Sequence, residues 1–179
     1  PVIIRINHRQ LLSGIAQYAG IGDQWIEMTM AIDKLDKIGE EGVRKEMTER
    51  NISVQSQDAI FSLLQHRDIS SFRSAMGSHD TVSGSVEEME RVFGFLDGLS
   101  LKNEVRFDIT LARGLGYYTG CIFEVTAVDA EMGSLGGGGS NGSGATICAK
   151  QFNRLLHVCN FEGSILRFLA RWQCVLGIR

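Results

Sequence analysis

The sequence LARGLGYYTGCIFEV, residues Leu111–Val125, contains the connection ARGLGYYTG between two stretches that are predicted to be β-strands. In the stretch before it, EVRFDITL, apolar and polar residues alternate from Glu104 to Leu111, which is typical of a half-buried strand. The stretch after it, CIFEVTAV, is rich in the β-branched and aromatic residues that favour strands. Because only the nine residues ARGLGYYTG separate the two, direct antiparallel pairing is favoured over a parallel crossover.

This connection combines one cation, two phenols and three glycines between Arg113 and Gly120. A guanidinium presents a planar fork of donors that fits a carboxylate or a phosphate. The hydroxyls of Tyr117 and Tyr118 can donate and accept hydrogen bonds, and their rings can wall a pocket. The glycines permit tight turns and the close approach of a ligand. Two interpretations follow: a site for a small polar anion on the sheet, or a tight surface connection with a solvated arginine.

Upstream of these strands, apolar residues recur at helical spacing between about residue 8 and residue 101. Asn7 is predicted to cap the first helix, and Ser85 with Glu88 is predicted to form the capping box that opens the last one. The stretch VIIRIN, before the first helix, is predicted to be a short strand. Together these patterns predict an α+β protein, in which a helical segment is inserted between strands of an antiparallel sheet.

Composition and charge exclude several classes of protein. The 179-residue chain is 44% hydrophobic and 22% charged, as expected of a globular domain rather than a disordered segment. Its net charge of −3 argues against a chain-wide surface for nucleic acid or anionic membrane. The four cysteines and four histidines show no ligand spacing, so neither a metal site nor a disulfide framework is predicted. No apolar run approaches the roughly 18 residues of a membrane span, and a cytoplasmic location is expected.

The connection resembles the histidine-specific motif of histidyl-tRNA synthetases, which runs Arg-Gly-Leu-Asp-Tyr-Tyr-Thr-Gly, then an apolar residue and often Phe-Glu or Tyr-Glu. Downstream, MGSLGGGG, residues Met132–Gly139, is similar to the start of the family's second histidine motif, Gly-Gly-Gly-Arg-Tyr-Asp. VIIRINHRQLLSGI and AIDKLDKIG are similar to the segments that lead into and through the family's helical insertion. The resemblance covers about residues 1–139 and keeps the family's order of motifs.

This resemblance implies the antiparallel catalytic domain of a class II aminoacyl-tRNA synthetase. Residues 1–7 would be the strand that leads into that domain, and residues 8–101 the helical insertion that approaches the tRNA acceptor arm. Residues 102–139 would be catalytic-domain strands that carry the histidine-binding motif. Residues 140–179 match nothing in the family and form an unassigned tail.

The resemblance also implies roles for individual residues. Arg113 would be the catalytic residue, contacting the histidine carboxylate and the α-phosphate of ATP. Tyr117 and Tyr118 would line the histidine pocket, with one hydroxyl bonded to the imidazole. The implied substrate-binding residues are Arg113, Gly114, Tyr117, Tyr118, Gly136, Gly137 and Gly138.

The activity implied is that of a histidine–tRNA ligase, which activates histidine with ATP to histidyl-adenylate and transfers it to tRNA(His) in protein synthesis. ATP would enter with Mg²⁺, the whole protein would be a homodimer, and no membrane partner is expected. Because the sequence begins at Pro1, after the family's two earlier signature motifs, we expect part of a longer protein. Those motifs hold most ATP contacts, so this chain alone is expected to be inactive.

The sequence departs from the family pattern at two places, and the first of them keeps an alternative open. Gly116 stands where the family usually has aspartate, and Ser140-Asn141-Gly142 stands in place of the expected Arg-Tyr-Asp. The first change removes a carboxylate beside the tyrosines. The alternative is a catalytically inactive, synthetase-like regulatory or sensor protein that binds histidine or tRNA.

Overall fold

The structure is a computed structural model. It describes residues 2–77, 80–97, 103–114, 116, 118–128, 134–140 and 145–147. Among these residues, no helix combines the length and the apolar composition that crossing a bilayer requires. The tail predicted from residue 140 onward therefore lies almost wholly outside the described residues, as does Tyr117.

The described chain is an α+β protein, as predicted. A single strand precedes a run of helices, and the remaining strands follow them. The elements are β1 Val2–His8, α1 Arg9–Tyr18, α2 Trp25–Ile32, α3 Leu35–Glu49, α4 Val54–Leu64, α5 Ile69–Met76, α6 Asp80–Asp97, β2 Glu104–Phe107, β3 Cys121–Ala127, β4 Ser134–Ser140 and β5 Ala145–Ile147.

The strands form one sheet in the order β2-β1-β3-β4-β5. The predicted direct pairing of the two strands that flank the motif is wrong, because β1 lies between them. β1 pairs in parallel with β2 and antiparallel with β3, so the sheet is mixed rather than wholly antiparallel. The physical reason is the helical segment between β1 and β2, which supplies the long crossover that a parallel pair requires.

The two faces of the sheet have different roles. Ile4 and Ile6 of β1, with Phe123 and Val125 of β3, belong to one buried apolar cluster that includes residues of every described α-helix. Because successive side chains point to opposite faces of a strand, Arg5 and its antiparallel partner Glu124 share the other face. The helices therefore cover one face and leave the polar face for a site.

Side-chain contacts move two of the predicted helix starts. Asn7 lies within β1, and its amide donates to the carbonyls of Ile109 and Leu111 at 3.1 and 2.9 Å. His8 caps α1 instead, because its Nδ1 accepts from the N–H of Gln10 at 3.1 Å. The amide of Asn7 thus holds the extended segment that follows β2.

The capping box predicted at Ser85 is also absent. α6 begins at Asp80, so Ser85 lies inside the helix, and its hydroxyl donates to the carbonyl of Val82 at 2.8 Å. Glu88 contacts His8 and Cys121 rather than the start of the helix. Ser85 and Glu88 have the residue types and the spacing of a capping box, but their side chains contact other groups in the folded protein.

A buried ion pair ties β1 to the segment after β2. Arg5 Nε donates to Asp108 Oδ2 at 2.5 Å, and Arg5 Nη1 lies 3.2 Å from a carboxylate oxygen of Asp36 on α3. Asp108 Oδ1 also accepts from the backbone N–H and the hydroxyl of Thr110. Burial alone would raise the pKa of Asp108, but the Thr110 hydrogen bonds and the Arg5 charge outweigh it and lower that pKa.

Gly14 sets the approach of α1 to α6. An added Cβ there would clash with Cγ1 of the buried Val82, whereas a Cβ at Gly94 of α6 would meet nothing within 4 Å. We expect Gly14→Ala to lower the free energy of unfolding by about 1–3 kcal/mol through overpacking. Gly94→Ala should raise it by about 0.5–1 kcal/mol through helix propensity. Urea unfolding of both variants checks this, and equal effects of the two would contradict the close α1–α6 contact.

Asp108→Asn removes one partner of the buried Arg5–Asp108 ion pair. We expect a loss of about 3 kcal/mol in the free energy of unfolding at pH 7, because a largely buried guanidinium loses the nearest of its counter-charges while Asp36 and Glu124 remain. The folded-state pKa is lowered, so this stability is present above the unfolded value of about 3.9 and is lost as the pH falls below it. In urea unfolding from pH 7 to 3, the difference between the free energies of unfolding of the two proteins should therefore shrink in acid. Asp36→Asn, at an exposed partner of Arg5, is the control and should cost less than about 1 kcal/mol.

Candidate functional site

A cleft of about 410 Å³ lies over β3 and β4, beside the segment that connects β2 to β3. Its walls are formed by Leu111, Arg113, Gly114, Tyr118, Ile122, Phe123, Glu124, Ser134, Gly137 and Gly138. Five of the seven predicted substrate-binding residues are in this set. Gly136 does not line the cleft, and Tyr117 lies outside the described residues.

The floor of the cleft is open because β4 consists largely of glycine. Gly137 pairs with Glu124 and Gly139 with Ile122, so neither position adds a side chain next to these β3 residues. A Cβ at Gly137 would lie 2.9 Å from the carbonyl oxygen of Phe123, which is too close. The run of glycines therefore allows β4 to approach β3 and leaves space above the strand for a ligand.

Tyr118 forms one wall, and its ring fits between two glycines. A Cβ at Gly114 would clash with the ring, and a Cβ at Gly139 would lie 2.6 Å from its Cγ. Gly114 also has a φ of +70°, which disfavours other residues. With these positions free, the Tyr118 side chain is 5% exposed and packs with Leu111 and Ile122 in a small apolar cluster.

Arg113 supplies the positive charge at the cleft. Its Nη1 lies 2.7 Å from Glu124 Oε1, and its Nε lies 3.6 Å from Asp33 Oδ1. Half of the side chain is exposed, so part of the guanidinium fork remains open to solvent. A ligand carboxylate or phosphate would find there a fixed cation with donors still available.

Glu124 is a site residue that the sequence analysis did not single out. Its side chain is 4% exposed, and its two oxygens face different arginines: Oε1 faces Arg113, and Oε2 lies 3.6 Å from Arg5 Nη1. Oε1 accepts no aligned hydrogen bond, so its contact with Arg113 is an ion pair of short distance but poor angle. The available signal was one acid inside the otherwise apolar stretch CIFEV.

Gly116 is exposed, and a Cβ added there would meet nothing within 4 Å. The Cβ of aspartate, the residue that the resembling motif usually carries here, would therefore meet no described neighbour. The glycine removes a carboxylate from the connection but requires no change in its packing.

A second polar cluster joins β1, α6 and β3 on the helical side of the sheet. His8 Nε2 lies 3.3 Å from Glu88 Oε2, and the Cys121 thiol donates to Glu88 Oε1 at 3.4 Å. The hydrogen bond from His8 lowers the pKa of Glu88, and burial raises the pKa of the Cys121 thiol. These residues are too far apart in the sequence for their spacing to have shown the cluster.

The three side chains of this cluster are all types that bind metals, and their potential ligand atoms lie within 4.8 Å of one another. However, His8 Nδ1 accepts the N–H of Gln10, so a neutral ring carries its proton on Nε2, toward Glu88. A metal would have to displace that proton and the thiol proton of Cys121. As it stands, the cluster is a hydrogen-bond network that connects a strand to the longest helix.

Comparison with known proteins places this geometry in a family. A family model described as Histidyl-tRNA synthetase matches residues 1–143. The histidine–tRNA ligase of Bacteroides fragilis (strain YCH46) is 41% identical over 143 residues, which cover 77% of this chain and 32% of that protein. The Flavobacterium johnsoniae protein of the same name is 45% identical over 148 residues, covering 77% and 30%.

Solved structures agree on the fold. The histidyl-tRNA synthetase of Nostoc sp. PCC 7120 matches with a TM-score of 0.69 and 28% identity, over 77% of this chain and 35% of that one. An ATP phosphoribosyltransferase regulatory subunit/histidyl-tRNA synthetase from Bacillus halodurans matches with a TM-score of 0.62 and 20% identity, over 77% and 36%. At that identity the second match shows a shared fold alone.

The chain spans about a third of the length of the curated relatives it matches. Within that span the family match includes β1, all the described helices, and the strands that form the cleft around Arg113. On this match, the chain belongs to the histidyl-tRNA synthetase family.

Proposed function

We propose that this chain is the histidine-binding part of a histidine–tRNA ligase, which forms histidyl-adenylate from histidine and ATP and transfers the amino acid to tRNA(His). The observation that carries the proposal is the arrangement of one cleft: Arg113 and Tyr118 stand over the glycines of β4. A cation, a phenol and an open floor suit an amino acid with an aromatic, hydrogen-bonding side chain. The cleft volume also falls in the range of small-ligand sites.

Arg113 has the chemistry that adenylate formation requires. When the histidine carboxylate attacks the α-phosphate and displaces pyrophosphate, negative charge accumulates on the phosphate oxygens. A guanidinium already held at the cleft stabilises that charge without first having to reorganise. The open half of Arg113 provides donors for both the carboxylate and the phosphate.

Tyr118 has a different role in this proposal. Its ring forms a wall of the pocket, and its hydroxyl is the group that would bond to the imidazole of histidine. Such a contact serves the bound substrate and the transition state alike, so it contributes to histidine affinity more than to rate.

The remaining parts of the reaction follow the family. ATP enters with Mg²⁺, and we assign most ATP contacts to the two class II motifs that the family places before the segment matched here. The helices would approach the acceptor arm of tRNA(His). The whole protein would act as a homodimer in the cytoplasm.

The second candidate function is a regulatory or sensor protein that binds histidine or tRNA without aminoacylation. Gly116 favours it, since the family aspartate is replaced although its space is free. The two candidates differ in whether the cleft can support catalysis when the rest of a synthetase is supplied.

A graft tests the proposal directly. Residues 1–139 replace the aligned segment of the Bacteroides fragilis enzyme, and histidine-dependent pyrophosphate exchange is measured. We expect the graft to be active and Arg113→Ala to lower its kcat by about 100- to 1,000-fold, because one preorganised donor is lost. Arg106→Ala, at an exposed arginine of β2, is the matched control and should leave kcat unchanged. A near-normal kcat for Arg113→Ala would contradict the assigned role.

In the same graft, Tyr118→Phe should raise the KM for histidine with little change in kcat. Loss of the hydrogen bond between this hydroxyl and the imidazole weakens the binding of substrate and of transition state equally, typically by about tenfold. Histidine-saturation curves measure this. A fall in kcat at unchanged KM would show that the hydroxyl takes part in the reaction rather than in substrate binding.

Gly116→Asp separates the two candidate functions. For a synthetase we expect the graft with Gly116 to be active and the aspartate to change exchange activity by less than about tenfold. Exchange that appears only in the Gly116→Asp graft would favour the regulatory protein. Thermal unfolding of both grafts is the control, and the free space at Gly116 predicts equal stability.

A further inference from the structure

We propose that Glu124 is the positioning residue of Arg113: it holds one end of the guanidinium so that the other end faces the ligand. This inference rests on the proposed function, and it assigns a role to a carboxylate that touches the arginine rather than the substrate. Three observations carry it: the burial of Glu124, the anchoring of its second oxygen, and the weakness of the other contacts of Arg113.

The first observation is that Glu124 meets Arg113 from inside the protein. The Glu124 side chain is 4% exposed and Arg113 Nη1 lies 2.7 Å from its Oε1, whereas the arginine itself is half exposed. A carboxylate so far out of water requires a counter-charge. The ion pair therefore holds one end of a half-exposed side chain toward the sheet, and the rest of the guanidinium stays at the cleft.

The second observation is that Glu124 is itself anchored. Its Oε2 lies 3.6 Å from Nη1 of Arg5, its partner across β1 and β3. Arg5 is in turn fixed by the buried carboxylate of Asp108. Alternating charges thus run from the segment after β2, across β1 and β3, to the arginine at the cleft. A carboxylate held in this way can define a direction for Arg113.

The third observation is that the other partner of Arg113 cannot do the same. Asp33 lies 3.6 Å from Arg113 Nε, and both side chains are about half exposed. Exposed pairs of this kind contribute little, because water screens the attraction. Arg113 also precedes Gly114, whose left-handed backbone belongs to a turn rather than to a strand. Among the described contacts, Glu124 is the one that can restrict where the guanidinium points.

The consequence for the reaction is geometric. With Nη1 engaged by Glu124, the remaining N–H donors of Arg113 are those offered to the carboxylate and the α-phosphate. Loss of this restriction leaves the charge in the cleft but lets the fork rotate. Adenylate formation should then slow more than histidine binding weakens, because orientation matters most in the transition state.

The first experiment uses the 179-residue chain and needs no ligand. NMR of the ¹⁵N-labelled guanidinium groups, assigned with Arg113→Lys, reports rotation about the Nε–Cζ bond of Arg113. We expect resolved Nη signals in the unchanged protein and a single averaged signal in Glu124→Gln. Glu104→Gln, at an exposed acid of β2, is the control and should leave the Arg113 signals unchanged.

Glu124→Asp is the second variant, for the case that Glu124→Gln does not fold. It keeps a negative charge beside Arg5 but withdraws the oxygen from Arg113 by one methylene, and it should also average the Arg113 signals. Backbone amide spectra establish that each variant is folded. Arg113 signals that are the same in the unchanged protein and in a folded Glu124 variant would overturn the proposal.

The second experiment is a double-mutant cycle in the graft. Glu124→Gln should lower kcat for pyrophosphate exchange by about 10- to 100-fold, with the KM for histidine changed by less than about threefold. In the Arg113→Ala background the same change should cost less than about twofold, since nothing remains to be positioned. An equal loss in both backgrounds would overturn the proposal, because it would mean that Glu124 only supports the fold.

The two experiments separate the failure of this inference from the failure of the proposed function. An inactive parent graft would argue against the ligase, while the guanidinium signals of the 179-residue chain would still decide whether Glu124 holds Arg113. An active graft together with unchanged Arg113 signals in Glu124→Gln would support the ligase and overturn the positioning role of Glu124.

Discussion

Arg5 brings a permanent positive charge into the sheet, and an isolated buried charge costs more free energy than a domain of this size can spare. Asp108 and Glu124 compensate that charge from the two sides of β1. These two ion pairs also have a structural effect. It holds the extended segment after β2 against β1, and it holds Glu124 at the base of the cleft. The fold and the candidate site therefore share one guanidinium, which pairs with Asp108 beside β2 and with Glu124 at the cleft.

The sequence indicated which residues lie together at the cleft more fully than it indicated the order of the strands, and the roles of those residues remain predictions. Arg113, Tyr118 and the glycines of β4 come together because they lie on one connection and the next strand, within reach of local reasoning. The order of the strands depends on a pairing between segments about a hundred residues apart, which local pattern does not encode. Two apolar runs separated by a short connection look like a hairpin, and only the position of β1 shows that they are not.

Polar side chains with several possible partners explain the other differences between the predicted elements and the structure. Ser85 and Glu88 have the types and spacing of a capping box, yet the helix begins earlier and Glu88 binds His8 and Cys121. Gly39 breaks the helical geometry with a φ of +67°, although α3 continues beyond it. Glycine acts through its own backbone and is readable in sequence. A polar side chain acts through the partners that the fold brings near it, and those partners cannot be predicted from local sequence.

The place of β1 in the sheet has a consequence for biosynthesis. Arg5 is separated by 103 residues from Asp108, and its partner on β3 lies further along the chain. When β1 leaves the ribosome, both its edges are therefore without their partner strands, and Arg5 is without Asp108 and Glu124, while the six described helices are made. Pairings over such distances form slowly, and an unpaired strand edge invites association with other chains. The described helices are synthesised after β1 and before the other strands, so the cleft can form only after β4 has been made.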